Sequence, residues 1–176
     1  IVEKLPEMAW FGLSRRGNRE DEHMGVFYRK ESLELLKSGN FWLSETPDQP
    51  GSISWNMSLP RMVTWGEFRD KRTKRTFLFY NTHFAHRRED NPARVESAKL
   101  LADRLSMLPA GAPMILTGDF NTDAGSEPYT VITKVMQDGY TAVSAPKGPA
   151  GTFHGFSGTP GKARIDWIMF RGQLKP

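Results

Sequence analysis

The pattern of hydrophobic and polar positions predicts short strands interleaved with two helices. Unbroken apolar runs are typical of strands covered on both faces, because each face then needs apolar side chains. The run 77–80 predicts a strand at 76–83, and two further largely apolar stretches predict strands at 114–117 and 165–170. Weaker patterns predict strands at 9–13, 25–28, 33–36, 40–43 and 62–68, with Ser38-Gly39 as a turn. The predicted order of elements therefore favours a layered α/β or α+β domain.

Two helices are predicted from their start and stop signals. Asn91 is a candidate N-cap and Pro92 suits the first helical position. Apolar residues then recur at helical spacing until Pro109, at Ala98, Leu101, Ala102 and Leu105. Ser126 opens a second, shorter helix that we expect to reach about Met136. A Gly- and Pro-rich loop is expected at 146–161, before the last strand.

Length and composition narrow the function classes without choosing one. The chain has 176 residues, which suits a single domain, and we expect a monomer. It has 0 cysteines, which excludes disulfides, thiolate metal sites and thiol nucleophiles. Its apolar runs are too short for a membrane span. The net charge of +4 favours anionic partners, and the densest basic run, 69–75, is either a solvated hairpin tip or a contact to a phosphate backbone.

Three polar clusters adjoin the buried strands. They are Asn81-Thr82-His83, Gly118-Asp119-Phe120-Asn121 and Arg164-Ile165-Asp166. Taken singly, each has an ordinary structural explanation: a core histidine, a turn cap, and an ion pair. Together they supply imidazole, amide and carboxylate groups, which suit a divalent cation and a phosphate group. The combination therefore indicates phosphate chemistry at one edge of the sheet.

These motifs, in this order and spacing, resemble those of the endonuclease/exonuclease/phosphatase superfamily, the relatives of pancreatic-type deoxyribonuclease. The resemblance covers nearly the whole chain and is nearest to a bacterial branch of unassigned substrate. Further segments that carry it are 25–29, 41–47, 59–61 with Thr64-Trp65, and 151–156. The resemblance implies a deoxyribonuclease-like four-layer sandwich, in which two packed mixed β-sheets are flanked by helices.

The resemblance also implies hydrolysis of a phosphodiester or phosphomonoester by in-line attack of water, with Mg²⁺ or Mn²⁺ as cofactor. Asp119 would act at the metal and position or deprotonate the water, and Asn121 would bind the phosphate beside the metal. His83 would hydrogen-bond a phosphoryl oxygen. Asp166 would orient a histidine that contacts the phosphate. Asp119 and Asn121 are thus the expected metal ligands.

Four further residues are expected to bind substrate: Arg61, His86, Arg94 and His154. For each, the alternative is an ordinary loop or helix-surface residue. The substrate could be a nucleic acid, a sugar phosphate or a phospholipid headgroup, and the sequence does not separate these classes.

The chain departs from the family pattern in three motifs. It has no early strand with the family's asparagine, no Gln-Glu motif with the metal-binding glutamate, and no Ser-Asp-His motif. Glu3, Glu7 and Glu22 stand in a different context from that glutamate. We therefore expect residues 1–176 to be one partial domain, incomplete at both termini.

Two other functions stay open. The first is a catalytically inactive relative that binds phosphorylated ligands or nucleic acid, suggested by the missing motifs. The second is an α/β-hydrolase-type esterase. For the latter, residues 155–158 approach the nucleophile-elbow motif but do not follow a strand.

Overall fold

The computed structural model describes residues 2–159 and 161–176. Ile1, where the printed sequence starts, and Pro160, in the predicted loop 146–161, lie outside the described residues. The strands are β1 (Met8–Phe11), β2 (Val26–Arg29), β3 (Leu33–Trp42), β4 (Met62–Asp70), β5 (Thr76–His83), β6 (Met114–Asp119), β7 (Gln137–Asp138) and β8 (Asp166–Arg171). The helices are α1 (Asn91–Ser106) and α2 (Glu127–Thr133), and two 3-10 turns lie at Val2–Lys4 and Arg88–Asp90.

Six strands form one mixed sheet in the order β3-β4-β5-β6-β8-β7, and β1 and β2 form a separate two-stranded sheet. Within the large sheet, β5 and β6 are parallel, and the other neighbouring strands are antiparallel. A parallel pair needs a crossover connection, and α1 supplies it. The layered α/β fold predicted from the sequence is confirmed.

Both helices cover one face of the large sheet. Leu101 and Leu105 of α1 and Ile132 of α2 are fully buried against apolar side chains of the central strands. Alternation along the strands decides which side chains face them: Leu116 of β6 and Met169 of β8 point to the helices and are fully buried. This face holds the main core.

The small sheet lies on the opposite face of the large one. Phe68 of β4 packs there against Phe11 and Tyr28, with ring centroids 6.0 and 5.2 Å apart. Farther along this face Ile168 of β8 is 64% exposed. The face away from the helices is therefore apolar under the small sheet and open near β8.

The structure corrects three local predictions. Ser38-Gly39 is not a turn, because β3 runs straight through it and bends only at an irregularity between Leu35 and Lys37. Gly39 is needed there because a Cβ would lie 2.8 Å from the Trp65 indole nitrogen on β4. The N-cap of α1 is Asp90 and not Asn91, and α2 ends at Thr133, short of Met136.

Neither helix of the described residues has the length and apolar character that a bilayer span requires.

The buried side chains of α1 should account for most of the helix's contribution to the free energy of unfolding. Leu105→Ala removes a fully buried side chain and should lower the free energy of unfolding by about 3 kcal/mol. Met107→Ala is the matched control, because Met107 is 83% exposed and its loss should cost little. Urea denaturation measures both changes, and similar losses in the two variants would contradict the described packing.

Candidate functional site

Three of the predicted catalytic residues lie side by side in one row of the large sheet. His83 pairs with Asp119 in the parallel register of β5 and β6, and Asp119 pairs with Asp166 across β6 and β8. Alternation places all three on the face away from the helices. The structure thus brings together an imidazole and two carboxylates that are far apart in the sequence.

The turn after β6 has a tightly defined conformation. Asn121 has a φ of 49°, a left-handed conformation that asparagine tolerates better than most residues. Its backbone N–H donates to Asp119 Oδ1 at 2.8 Å, and its side-chain amide donates to the Phe84 carbonyl at 3.0 Å. Phe120 N–H donates to the Ile165 carbonyl at 2.8 Å. The turn is therefore bonded to the strands on both sides, and Asn121 stands beside Asp119.

Glu22 belongs to this site, although the sequence analysis set it aside. It lies in the loop between β1 and β2, and its Oε1 accepts a hydrogen bond from His83 Nδ1 at 2.8 Å. The other ring nitrogen, Nε2, lies 3.5 Å from Asp119 Oδ2. Arg15 also donates to Glu22, at 3.2 Å. In the sequence, Glu22 stands in a strongly charged loop between two predicted strands. That pattern does not indicate His83 as its partner.

Burial and neighbouring charges shift the pKa values of this cluster. Burial raises the pKa of Asp119, and the nearby Asp166 charge adds to the rise, against the opposing effects of the Asn121 N–H and His83. Burial and the charge of Arg61 lower the pKa of His83, although Glu22 and Asp119 oppose this. Burial raises the pKa of Glu22, but the His83 hydrogen bond and the Arg15 and Arg61 charges outweigh it and lower the pKa. Asp119 thus ionises less readily than a free carboxyl.

Arg61 and His86 form a second pair at the edge of this cluster. Arg61 is 3% exposed, and its Nη2 donates to His86 Nδ1 at 3.0 Å. Its Nη1 lies 4.0 Å from Glu22 Oε1 and has no hydrogen-bond partner within the described residues. His86 is exposed. Both side chains therefore adjoin the Glu22–His83 pair, and Arg61 keeps a buried N–H group available.

The other two expected substrate-binding residues have different surroundings. Arg94 is 6% exposed, and its Nη1 donates to the carbonyls of Ala85 and Arg87, each at 2.8 Å. It thereby fastens the loop that carries His86. His154 is exposed, and its Nδ1 accepts the Gly158 N–H at 3.2 Å within its own loop. Direct contact of these two residues with substrate stays a prediction.

The start of β8, which carries Asp166, is held by side chains from elsewhere. Thr152 Oγ1 accepts the backbone N–H groups of Ile165 and Asp166, each at 3.1 Å. Arg164 forms an ion pair with Asp138 and not with Asp166. At this site, within the described residues, the histidine–carboxylate pairs join His83 to Glu22 and to Asp119. That Asp166 orients a histidine therefore stays a prediction.

Asp119 and Asp166 could together hold a divalent cation, and the predicted ligand Asn121 adjoins Asp119, so the metal ligands stay a prediction. Mg²⁺ binds proteins through one or two carboxylates and takes its other ligands from water and substrate phosphate. Two carboxylates that face each other repel, which agrees with the raised pKa of Asp119, and a cation would relieve this repulsion. Over residues 2–159 and 161–176, no cluster of three acidic or histidine side chains forms a larger cage. The donor set suits a cation that shares its coordination with substrate.

The basic run 69–75 is remote from these residues. It forms the tip of the β4–β5 hairpin, whereas His83 lies at the other end of β5. Seven residue steps along a strand correspond to roughly 23 Å. Asp70 accepts the Thr73 N–H and shapes the turn. The hairpin tip is therefore too far from His83 to contact the same small group as that side chain.

Asp119→Asn should stabilise the metal-free protein at neutral pH. The folded state raises the pKa of Asp119, so folding favours its protonated form and stability falls as the pH rises through that pKa. Asparagine removes the charge, and its oxygen can still accept the Asn121 N–H. Calorimetry in EDTA should show a gain in Tm of about 2 °C at pH 7, shrinking towards pH 4.

The control for this measurement is Asp103→Asn, which changes an exposed carboxylate on α1. A Tm for Asp119→Asn at or below that of the unchanged protein at pH 7 would contradict the pKa assignment.

Solved structures with this arrangement of strands and helices include a phosphatase and an endonuclease/exonuclease/phosphatase. A mannosyl-6-phosphatase of Bacteroides thetaiotaomicron superposes with a TM-score of 0.91 at 37% identity, covering 99% of this chain and 66% of its own. An endonuclease/exonuclease/phosphatase of Bacteroides vulgatus gives 0.90 at 36% identity, covering 99% and 68%. The human nocturnin catalytic domain, with bound sulfate, gives 0.74 at 17% identity, covering 97% and 63%, and shows the fold alone.

Among curated proteins, an uncharacterized protein of Acanthamoeba polyphaga mimivirus is 28% identical over 185 residues. That match covers 90% of this chain and 26% of the viral protein. The chain thus spans about two thirds of the mannosyl-6-phosphatase and about a quarter of the viral relative. The profile of the Endonuclease/Exonuclease/phosphatase family matches residues 24–176, which include every site residue described above except Glu22 and its partner Arg15. The chain belongs to the endonuclease/exonuclease/phosphatase family.

Proposed function

We propose that the protein containing this chain is a divalent-metal-dependent phosphoesterase that hydrolyses a phosphate ester by in-line attack of water. The observation that carries the proposal is the row of His83, Asp119 and Asp166, with Asn121 on the adjoining turn. The membership of the family supports hydrolysis of a phosphate ester in general.

Asp119 is the group proposed to orient and deprotonate the attacking water. A general base works best when its pKa lies nearer the working pH, and burial moves Asp119 in that direction. His83 stands beside it and would donate from Nε2 to a phosphoryl oxygen, while Glu22 fixes the ring through Nδ1. The Glu22 carboxylate also favours the charged imidazole, which is the form that stabilises negative charge on the phosphate.

Asn121 and Arg61 are proposed to bind the phosphate group. One N–H of the Asn121 amide donates to Phe84, so its second N–H can donate to a phosphoryl oxygen. The free Nη1 of Arg61 supplies a charged donor near Glu22 and His83. A buried donor that lacks a partner gains most from an anionic ligand, because it has already lost its hydrating water on folding.

Asp119, Asn121 and Asp166 would hold the cation, either Mg²⁺ or Mn²⁺. When bound there, it would neutralise charge on the phosphate oxygens. The chain's own part is to keep the two carboxylates in register across β6 and β8 and to hold Asn121 beside Asp119 through its backbone N–H.

A phosphorylated sugar is the substrate we infer as the first to test. The solved mannosyl-6-phosphatase is 37% identical to this chain in a match that covers 99% of this chain and 66% of the phosphatase. The basic run 69–75, for which contact with a phosphate backbone is one of two alternatives, forms a hairpin tip at the far end of the sheet from His83. Sugar monophosphates should therefore be hydrolysed faster than plasmid DNA, RNA or phospholipid in a parallel panel.

Substitutions at Asp119 and Asn121 test the catalytic assignment. Asp119→Asn and Asn121→Gly should each lower kcat on a phosphate monoester by about a hundredfold in the whole protein with Mg²⁺. Glycine is chosen at 121 because it accepts the left-handed φ of 49° that alanine would strain. Asp103→Asn is the matched control on the surface of α1. Unchanged kcat in both site variants would reject the assignment.

A second candidate is a catalytically inactive relative that binds phosphorylated ligands, since Nη1 of Arg61, which lacks a partner among the described residues, suits phosphate binding with or without hydrolysis. Titration of the whole protein with Mn²⁺, followed by calorimetry, separates the two. The enzyme should bind Mn²⁺, and Asp119→Asn should weaken that binding. Binding of a sugar phosphate without metal binding or hydrolysis would favour the inactive relative.

Glu22→Gln should test the His83 assignment separately. Glutamine can still accept the His83 hydrogen bond but lacks the charge, so the pKa of His83 should fall further. We expect kcat to drop by about tenfold, with the loss greatest at high pH, where His83 is neutral. Glu20→Gln, an exposed change in the same loop, is the control. Equal pH–rate profiles for the two variants would contradict the role of Glu22.

A further inference from the structure

We propose that Arg164 is a positioning residue: its buried ion pair with Asp138 fixes the start of β8, and thereby sets Asp166 and the Asn121 turn relative to Asp119. The inference rests on the proposed function for its kinetic consequence. Its structural part stands on the contacts of the described residues alone.

The ion pair is buried and fully hydrogen-bonded. The side chains of Arg164 and Asp138 are 10% and 1% exposed. Both terminal nitrogens of Arg164 donate to the Asp138 carboxylate. The same carboxylate accepts the Tyr129 hydroxyl at 2.8 Å and the Tyr140 N–H at 2.9 Å. Asp138 is therefore held by Tyr129 of α2 and by the backbone of Tyr140, in addition to Arg164.

The backbone of Arg164 is fixed as well, and its partners lead to the site. Its N–H donates to Asp123 Oδ1 at 2.8 Å, and Asp123 follows Asn121 by two residues. Its carbonyl accepts the Trp167 indole N–H at 2.8 Å. The next residue, Ile165, accepts the Phe120 N–H. Arg164 thus links the turn after β6 to the start of β8.

The position of Asp166 follows from this link. Asp166 is two residues beyond Arg164 and pairs with Asp119 across the strands. A rotation of the chain at Arg164 would move the Asp166 carboxylate and the Phe120–Ile165 hydrogen bond together. Because catalysis depends on geometry at the level of an ångström, such a shift would lower kcat more than it would weaken substrate binding.

Stability alone does not explain a buried ion pair. The desolvation of two charges offsets most of their attraction, and apolar side chains of similar volume often stabilise a fold equally well. What an apolar pair lacks is direction, whereas the planar guanidinium forms two parallel bonds at a fixed angle. We assign to these two directional bonds the role of fixing the start of β8 relative to Asp119.

The decisive experiment separates stability from direction. Arg164→Met alone leaves Asp138 buried without its cation, so Tm should fall by roughly 10 °C. The double variant Arg164→Met with Asp138→Asn removes both charges, while the new amide can still accept the Tyr140 N–H through its oxygen and donate to the Tyr129 hydroxyl. Its Tm should therefore return to within about 3 °C of the unchanged protein. We expect its kcat on a sugar phosphate to stay at least about tenfold low, with KM changed less than about twofold.

Amide hydrogen exchange provides a readout that does not depend on activity. In the double variant the Phe120 N–H should exchange at least about tenfold faster, while Leu116, inside β6, keeps its protection. A double variant with restored kcat and restored Phe120 protection would overturn the proposal and leave the pair with a purely structural role. If the unchanged protein hydrolyses no phosphate ester, the proposed function fails, and Phe120 exchange still decides the positioning role.

Arg164→Lys covers the case in which the double variant does not fold. Lysine keeps the charge opposite Asp138 but cannot form the two parallel bonds. We expect a folded protein in which kcat is about tenfold lower and the Phe120 N–H exchanges faster. Wild-type values of both quantities in this variant would reject the positioning role.

Discussion

The site depends on the parallel pairing of β5 with β6. In a parallel pair, residues at the ends of two strands that run in the same direction meet at one edge, and here this places His83 beside Asp119. The close approach requires a glycine, because a Cβ on Gly118 would lie 2.4 Å from the Thr82 carbonyl oxygen. The crossover through α1 makes the parallel pairing possible, so the packing of that helix and the chemistry of the site have a common origin.

The surroundings of Asp119 and His83 disfavour the charged forms of both side chains. Burial disfavours ionised Asp119 and protonated His83, and the facing Asp166 adds repulsion. Arg61 and Glu22 carry opposite charges, and each favours the charged form of the other, which partly offsets the cost of burial. A phosphate and a cation would complete this balance, because the anion would meet the free N–H of Arg61 and the cation the two carboxylates. The charges of these groups are thus only partly balanced within the described residues.

Sequence reasoning located the parts of the site that are continuous in the chain. His83, Asp119, Asn121 and Asp166 lie in or next to apolar strands whose pattern is strong, so both their motifs and their strands could be predicted. Glu22 reaches the site only through a tertiary contact and could not be predicted. Glu22 is 61 positions from His83, and nothing local links them.

The same limit applies to the elements that support the site. The Asp138 partner of Arg164 lies in a two-residue strand that has no sequence pattern of its own. Arg94 stands on α1 at a position that resembles a surface residue, yet its guanidinium is buried under the loop of His86. Ser38-Gly39 has the composition of a turn, but the Trp65 ring on the neighbouring strand requires the glycine inside β3.

The left-handed backbone at Asn121 restricts how this position can change during evolution. Glycine and aspartate satisfy that conformation, but glycine lacks the amide and aspartate would add a third negative charge beside Asp119 and Asp166. Glutamine and serine keep a polar side chain but fit the backbone poorly. A substitution at this position therefore strains the backbone, adds a negative charge, or loses the amide bond to Phe84. Backbone conformation and side-chain chemistry thus constrain the residue independently.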